Sequence, residues 1–102
     1  MHRRIRLSQN EVKVIVSAIQ SIDDKARVYL FGSRIDLNLR GGDIDILVIT
    51  SKISLKEKID ILLELEDKLG ERKIDLVIKT DKEAEDDPFV QSIKKIRLDE
   101  EP

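Results

Sequence analysis

Cysteine and tryptophan are absent from the 102 residues, histidine and methionine occur once each, and aromatic residues make up only 3%. Without cysteine there is no disulfide framework, thiolate zinc site or cysteine nucleophile. With so few rings, the core is expected to be aliphatic, built from Ile, Leu and Val. The single histidine, His2, sits at a terminus expected to fray and is assigned no role. A covalent serine nucleophile such as Ser33 therefore lacks a histidine base in the body of the chain. No apolar run reaches the roughly 18 residues of a membrane-spanning helix. The opening Met1-His2-Arg3-Arg4-Ile5-Arg6 is basic with no apolar stretch behind it. No signal peptide is expected from it, and a cytoplasmic location is. Neither sign of charge dominates: 19 Lys and Arg stand against 21 Asp and Glu, a net charge of −2. That balance excludes a strongly basic nucleic-acid binder and a like-charge disordered tail. Arg3, Arg4 and Arg6 are read as an exposed terminus rather than a binding patch.

What is present fits one domain, residues 1–102. Ser8 and Glu11 form a capping-box pair ahead of Val12, Ile15, Val16, Ile19 and Ile22, which recur at helical spacing. Ala26 to Phe31 reads as a strand stopped by Gly32-Ser33. Arg34 to Gly42 reads as a loop, and Asp43 to Ile49 as a second strand inside the sheet, being almost continuously apolar from Ile44 on. Ser54 and Glu57 open a second helix that Gly70 ends. Leu55, Ile59, Leu62, Leu63 and Leu69 are expected to face inward along it, with Ile61 and Leu65 widening that stripe at its flank. Lys73 to Ile78 reads as a third strand and Thr80 to Asp87, acidic and polar, as a loop or frayed element. Pro88 opens a short final helix with Phe89, Val90, Ile93 and Ile96 as its apolar residues, and the end from Asp99 to Pro102 is expected to fray. The order predicts an α/β or α+β domain with a small sheet covered by helices.

Three aspartates sit where packing alone does not want them. Asp43 and Asp45 are two apart on a predicted strand, so both side chains leave one face. Asp75 repeats the situation within Ile74-Asp75-Leu76-Val77. If the two strands are neighbours, three carboxylates converge and repel. A divalent cation resolves that, and an all-oxygen set selects Mg²⁺ or Mn²⁺. Such clusters suit phosphoryl or nucleotidyl transfer. Just before them, Phe31-Gly32-Ser33-Arg34 follows a strand directly. Glycine lets backbone N–H groups approach a phosphate, serine adds a hydroxyl, and Arg34 and Arg40 are candidate charged donors. Each piece alone is weak: Gly-Ser is usually a turn, and an Arg is as often a surface residue. Gly-Ser at a fixed distance from Asp-x-Asp arises by accident in roughly one in a thousand domains of this size.

These residues resemble a minimal nucleotidyltransferase of the DNA polymerase β superfamily. The matching stretches are Phe31-Gly32-Ser33-Arg34, Gly41-Gly42-Asp43-Ile44-Asp45-Ile46-Leu47-Val48 and Ile74-Asp75-Leu76-Val77. The resemblance implies a palm-like mixed sheet with helices on one face. It implies that Gly32 and Ser33, with Arg34 beside them, hold a triphosphate and that Asp43, Asp45 and Asp75 bind two Mg²⁺ ions. It also implies transfer of a nucleotide from a triphosphate to a hydroxyl. In its brevity the chain resembles the antitoxin half of modules paired with a HEPN-type ribonuclease toxin. That setting implies ATP as substrate and AMP transferred to a tyrosine of the toxin. The rival expectation is a binding module that neutralises or scaffolds a partner by contact alone. Transfer to a small molecule or an RNA end is a third, disfavoured by the lack of a substrate domain and of a basic surface.

Overall fold

Two helix starts are fixed by reciprocal caps. The Ser8 side chain accepts from the Glu11 backbone N–H while the Glu11 carboxylate accepts from that of Ser8. Ser54 and Glu57 repeat the arrangement. In the computed structural model, which describes residues 7–32, 43–70 and 73–100, these caps open α1 (Gln9–Gln20) and α2 (Leu55–Leu69). Three strands follow the sequence reading closely: β1 (Arg27–Phe31), β2 (Ile44–Ile49) and β3 (Ile74–Lys79). The sheet order is β3-β2-β1-β4, where β4 is Lys95–Arg97. β1 runs antiparallel to β2 and β4, and β2 runs parallel to β3. A parallel pair needs a crossover, and α2 supplies it. The result is a small mixed sheet in an α+β fold. No helix among the described residues is long and apolar enough to cross a membrane.

Alternation along the strands sends side chains to two faces. Val28, Leu30, Ile44, Ile46, Val48 and Leu76 join Ile15, Ile19, Ile61 and Leu65 in the main core beneath α1 and α2. Leu47 and Ile49 point the other way and meet Ala84 and Val90. Those two residues belong to α3 (Asp81–Asp86) and α4 (Pro88–Ser92). Helices thus lie on both faces rather than on one.

Four further expectations change. Thr80 to Asp87 holds α3, opened by a third capping box between Thr80 and Glu83. Ile96 lies in β4, because the last helix stops at Ser92 and Ile93 is already extended. Asp99 does not fray: it accepts from the Val28 backbone N–H at 2.9 Å and from Arg97 at 3.0 Å. The fourth change is the phase of α2. Ile61 and Leu65 are buried, Leu62 and Leu69 pack at the edge of the core, and Leu55, Ile59 and Leu63 are exposed at 73%, 50% and 61%. Ile61 and Leu65 are each two positions, about 200° of rotation, beyond Ile59 and Leu63. Burying one row therefore turns the other outward.

Asp23 ties the end of α1 to the far end of β2. Buried, it accepts hydrogen bonds from the Thr50 hydroxyl and the Lys25 backbone N–H. The Thr50 bond is the main reason its carboxyl titrates below the ordinary value, against the opposing effect of burial. Its contribution to stability is therefore full above the ordinary carboxylate range and lost as pH falls through the depressed value. Asp23→Ala strands two donors and should cost about 1–3 kcal/mol at neutral pH. Urea unfolding should show the gap between variant and native chain shrinking towards about pH 3. A gap independent of pH would assign the loss to packing instead.

Candidate functional site

β2 and β3 begin, and β1 ends, at one rim of the sheet. There Asp45 is the register partner of Asp75 across the parallel pair and of Phe31 across the antiparallel one. Asp45 and Asp75 share a hydrogen bond. Burial is the largest influence on Asp45 and pushes its pKa up; the hydrogen bond to Asp75 and the charges of Asp75 and Asp43 push the same way, and Lys73 opposes them.

Asp43 acts on Asp45 through its charge without completing a trio. Among the described residues, no group of three or more His, Cys, Asp or Glu side chains stands ready to hold a metal ion. β2 begins at Ile44, so Asp43 lies before it, where strand alternation does not dictate its side chain's direction.

Gly32 borders the pair. Its φ is +80°, and a Cβ built there would overlap Oδ2 of Asp45. Any side chain at this position would push the carboxylate aside. Gly32→Ala should destabilise the fold by about 1–2 kcal/mol for the left-handed backbone alone. It should also swing Asp45 off Asp75, so that carboxyl NMR shows the Asp45 pKa falling towards its ordinary value. A variant with unchanged melting and unchanged titration would contradict this close approach. Ser33, Arg34, Arg40, Gly41 and Gly42, like His2, Arg3, Arg4 and Arg6, lie outside the described residues.

The acids open into a depression of about 480 Å³, lined also by Phe31, Val77, Phe89, Lys58 and Leu62. Phe89 stands edge-to-face on Phe31 with centroids 5.7 Å apart. Lys58 and Leu62 belong to α2, and of the two only Leu62 is singled out by spacing, as an inward-facing residue. Their place here follows from the phase of α2, which no local pattern announces. The donor set at Asp45 and Asp75 suits a hard cation. Two facing carboxylates need a proton or a cation between them, and all-oxygen ligands favour Mg²⁺ or Mn²⁺. The space kept by Gly32 is what lets Asp45 take this position. Comparison with curated proteins gives no match. A family model described as "Polymerase beta, Nucleotidyltransferase" matches residues 13–97.

Proposed function

The chain belongs to the polymerase beta nucleotidyltransferase family, and from that premise we propose that it transfers AMP from ATP to a tyrosine hydroxyl of a HEPN-type toxin, acting as its antitoxin in the cytoplasm. The observation that carries the catalytic part of this reading is the Asp45–Asp75 pair beside Gly32. Asp45 and Asp75 would hold Mg²⁺, with Asp43 turning in to complete the site for two ions, and Gly32, Ser33 and Arg34 taking the triphosphate. Magnesium bound there supplies charge neutralisation for the triphosphate and for the pyrophosphate that departs. Asp75 lies on the edge strand β3, the side from which an acceptor can approach. There it would receive the proton of the attacking hydroxyl. The hydroxyl oxygen bonds to the α-phosphorus, the α–β bridging P–O bond breaks, and pyrophosphate leaves. Asp45, on the central strand, is held in place by its neighbours on both sides.

A second reading, neutralisation of a partner by contact alone, has its own observation. Leu55, Ile59 and Leu63 form an exposed apolar row on α2. Its neighbour Leu62 lines the depression with the acids, so a docked partner covering the row would also reach the site. One experiment separates the two. The chain is incubated with Mg²⁺, α-labelled ATP and the protein encoded beside it. Label on the partner that disappears with Asp43→Asn supports transfer. Toxin neutralisation that survives Asp43→Asn with no label transferred would establish the binding module.

A further inference from the structure

Phe89 is the one aromatic residue among the large exposed hydrophobics of the described chain, at 44% exposure. Its helix gives no structural reason for that. Val90, the next residue, is buried and already anchors α4 to the sheet. Yet Phe89 is held firmly. Its backbone N–H donates to Oδ1 of Asp87 at 2.9 Å, and Oδ2 of the same carboxylate pairs with Lys79 of β3 at 3.1 Å. Its ring is braced edge-to-face by Phe31. Phe31 directly precedes Gly32 and lies opposite Asp45 in register. A fixed, half-open ring therefore stands over the carboxylate depression, on the flank where the chain runs into the Gly32 turn.

We infer that Phe89 is the platform on which the base of the nucleotide stacks. The inference rests on the reading of Gly32 and the acids as the triphosphate end of the site. The sheet order gives the two flanks different roles. Asp75 lies on the outer strand β3, and Phe31 with Gly32 on β1, with Asp45 between them. With the acceptor on the Asp75 side and the departing phosphates at Gly32, the α-phosphate lies beside Asp45 between them and carries its nucleoside off the sheet into the depression that Phe89 lines. The depression, about 480 Å³, holds a nucleoside. Besides the two acids and Lys58, the depression is lined by the apolar side chains of Phe31, Leu62, Ile74, Leu76 and Val77 together with Phe89. They offer a flat base contact area, and stacking needs only the face of the base. The ligand class is thus a nucleoside triphosphate gripped by its phosphates at one end and by the plane of its base at the other.

The test uses the full chain with Mg²⁺ and two probes, an α,β-non-hydrolysable ATP analogue and inorganic tripolyphosphate. The sequence has no tryptophan, so Phe89→Trp introduces a single reporter at the position in question. Its emission should be quenched by the ATP analogue and left unchanged by tripolyphosphate, which nevertheless competes for the site. Phe89→Ala should weaken the ATP analogue about 5- to 150-fold, the range of base–aromatic stacking, while tripolyphosphate binding stays within about twofold. Circular dichroism melting of Phe89→Ala and of Phe89→Leu checks that both remain folded. Phe89→Leu keeps bulk but no ring, and should bind the analogue nearly as poorly as Phe89→Ala. Equal weakening of both probes, or equal quenching by both, would overturn the inference and make Phe89 a structural residue. Unaltered ATP binding in Phe89→Ala would overturn it as well. A native chain that binds neither probe would instead overturn the underlying reading of the site together with this one.

Discussion

Asp45→Asn should lose nucleotidyl transfer by about a thousandfold or more and melt at a higher temperature than the native chain. The two effects share one cause. Asp45 lies in the sheet between Phe31 and Asp75, where burial and a neighbouring carboxylate disfavour its charge. Its pKa is raised by folding, so the folded state binds a proton more tightly than the unfolded one. Stability contributed by that proton is present at low pH. It is lost as pH rises from the ordinary carboxylate range through the raised value. At neutral pH in the absence of a cation the fold carries the whole of that cost. Asparagine has the same shape and no charge, and its amide can donate to Asp75. It removes the cost along with a ligand the chemistry needs. Thermal melts in chelator at pH 7 and at about pH 4 should show a gain for the variant at the higher pH that narrows at the lower. Magnesium should raise the melting temperature of the native chain and leave that of the variant nearly unchanged. A variant melting well below the native chain in chelator would mean that Asp45 is a structural acid.

The second large effect concerns α2. Leu65→Ala should cost about 2–5 kcal/mol, because Leu65 is wholly buried in the main core and its truncation leaves a cavity. Leu63→Ala, two positions away and 61% exposed, should change stability by no more than about 0.5 kcal/mol. In a domain this small the first change lowers the melting temperature by about 8 °C or more. Chemical denaturation of the pair is decisive, since the residue type and the helix are the same and only the facing differs. Comparable losses in both would show that Leu63 is covered.

That contrast also explains what could be read from the residues. Ser8 with Glu11, and Ser54 with Glu57, announce their helices because a capping box is a local device. The three longer strands announce themselves because their apolar runs are bounded by turn residues. Thr80 with Glu83 is the same capping signal, but α3 buries only Ala84, so no apolar period follows it. β4 is three residues long, too short to show alternation. In α2 two apolar rows have equal local claims, and only the sheet and α1 decide between them. At the site, Asp45 and Asp75 were visible as acids misplaced in apolar strands, and the parallel register sets them side by side. Asp43 was drawn into the strand by its neighbours' pattern, although β2 begins after it. The standing of Phe89 against Phe31 is a long-range pairing, outside the reach of any spacing rule.

The parallel register of β2 and β3 has one more consequence. β3 has a sheet neighbour on one side only, so a shift by one residue is the simplest error open to it. Such a shift would carry Asp75 to the opposite surface and bring an aliphatic side chain opposite Asp45. Hydrogen bonds from Ile44 N–H to the Lys73 carbonyl and from Thr50 N–H to the Lys79 carbonyl clamp both ends. Buried Leu76 sits between them as a detent. The meeting of two acids is therefore a matter of odd and even counting, enforced far more by what lies behind the sheet than by the acids themselves.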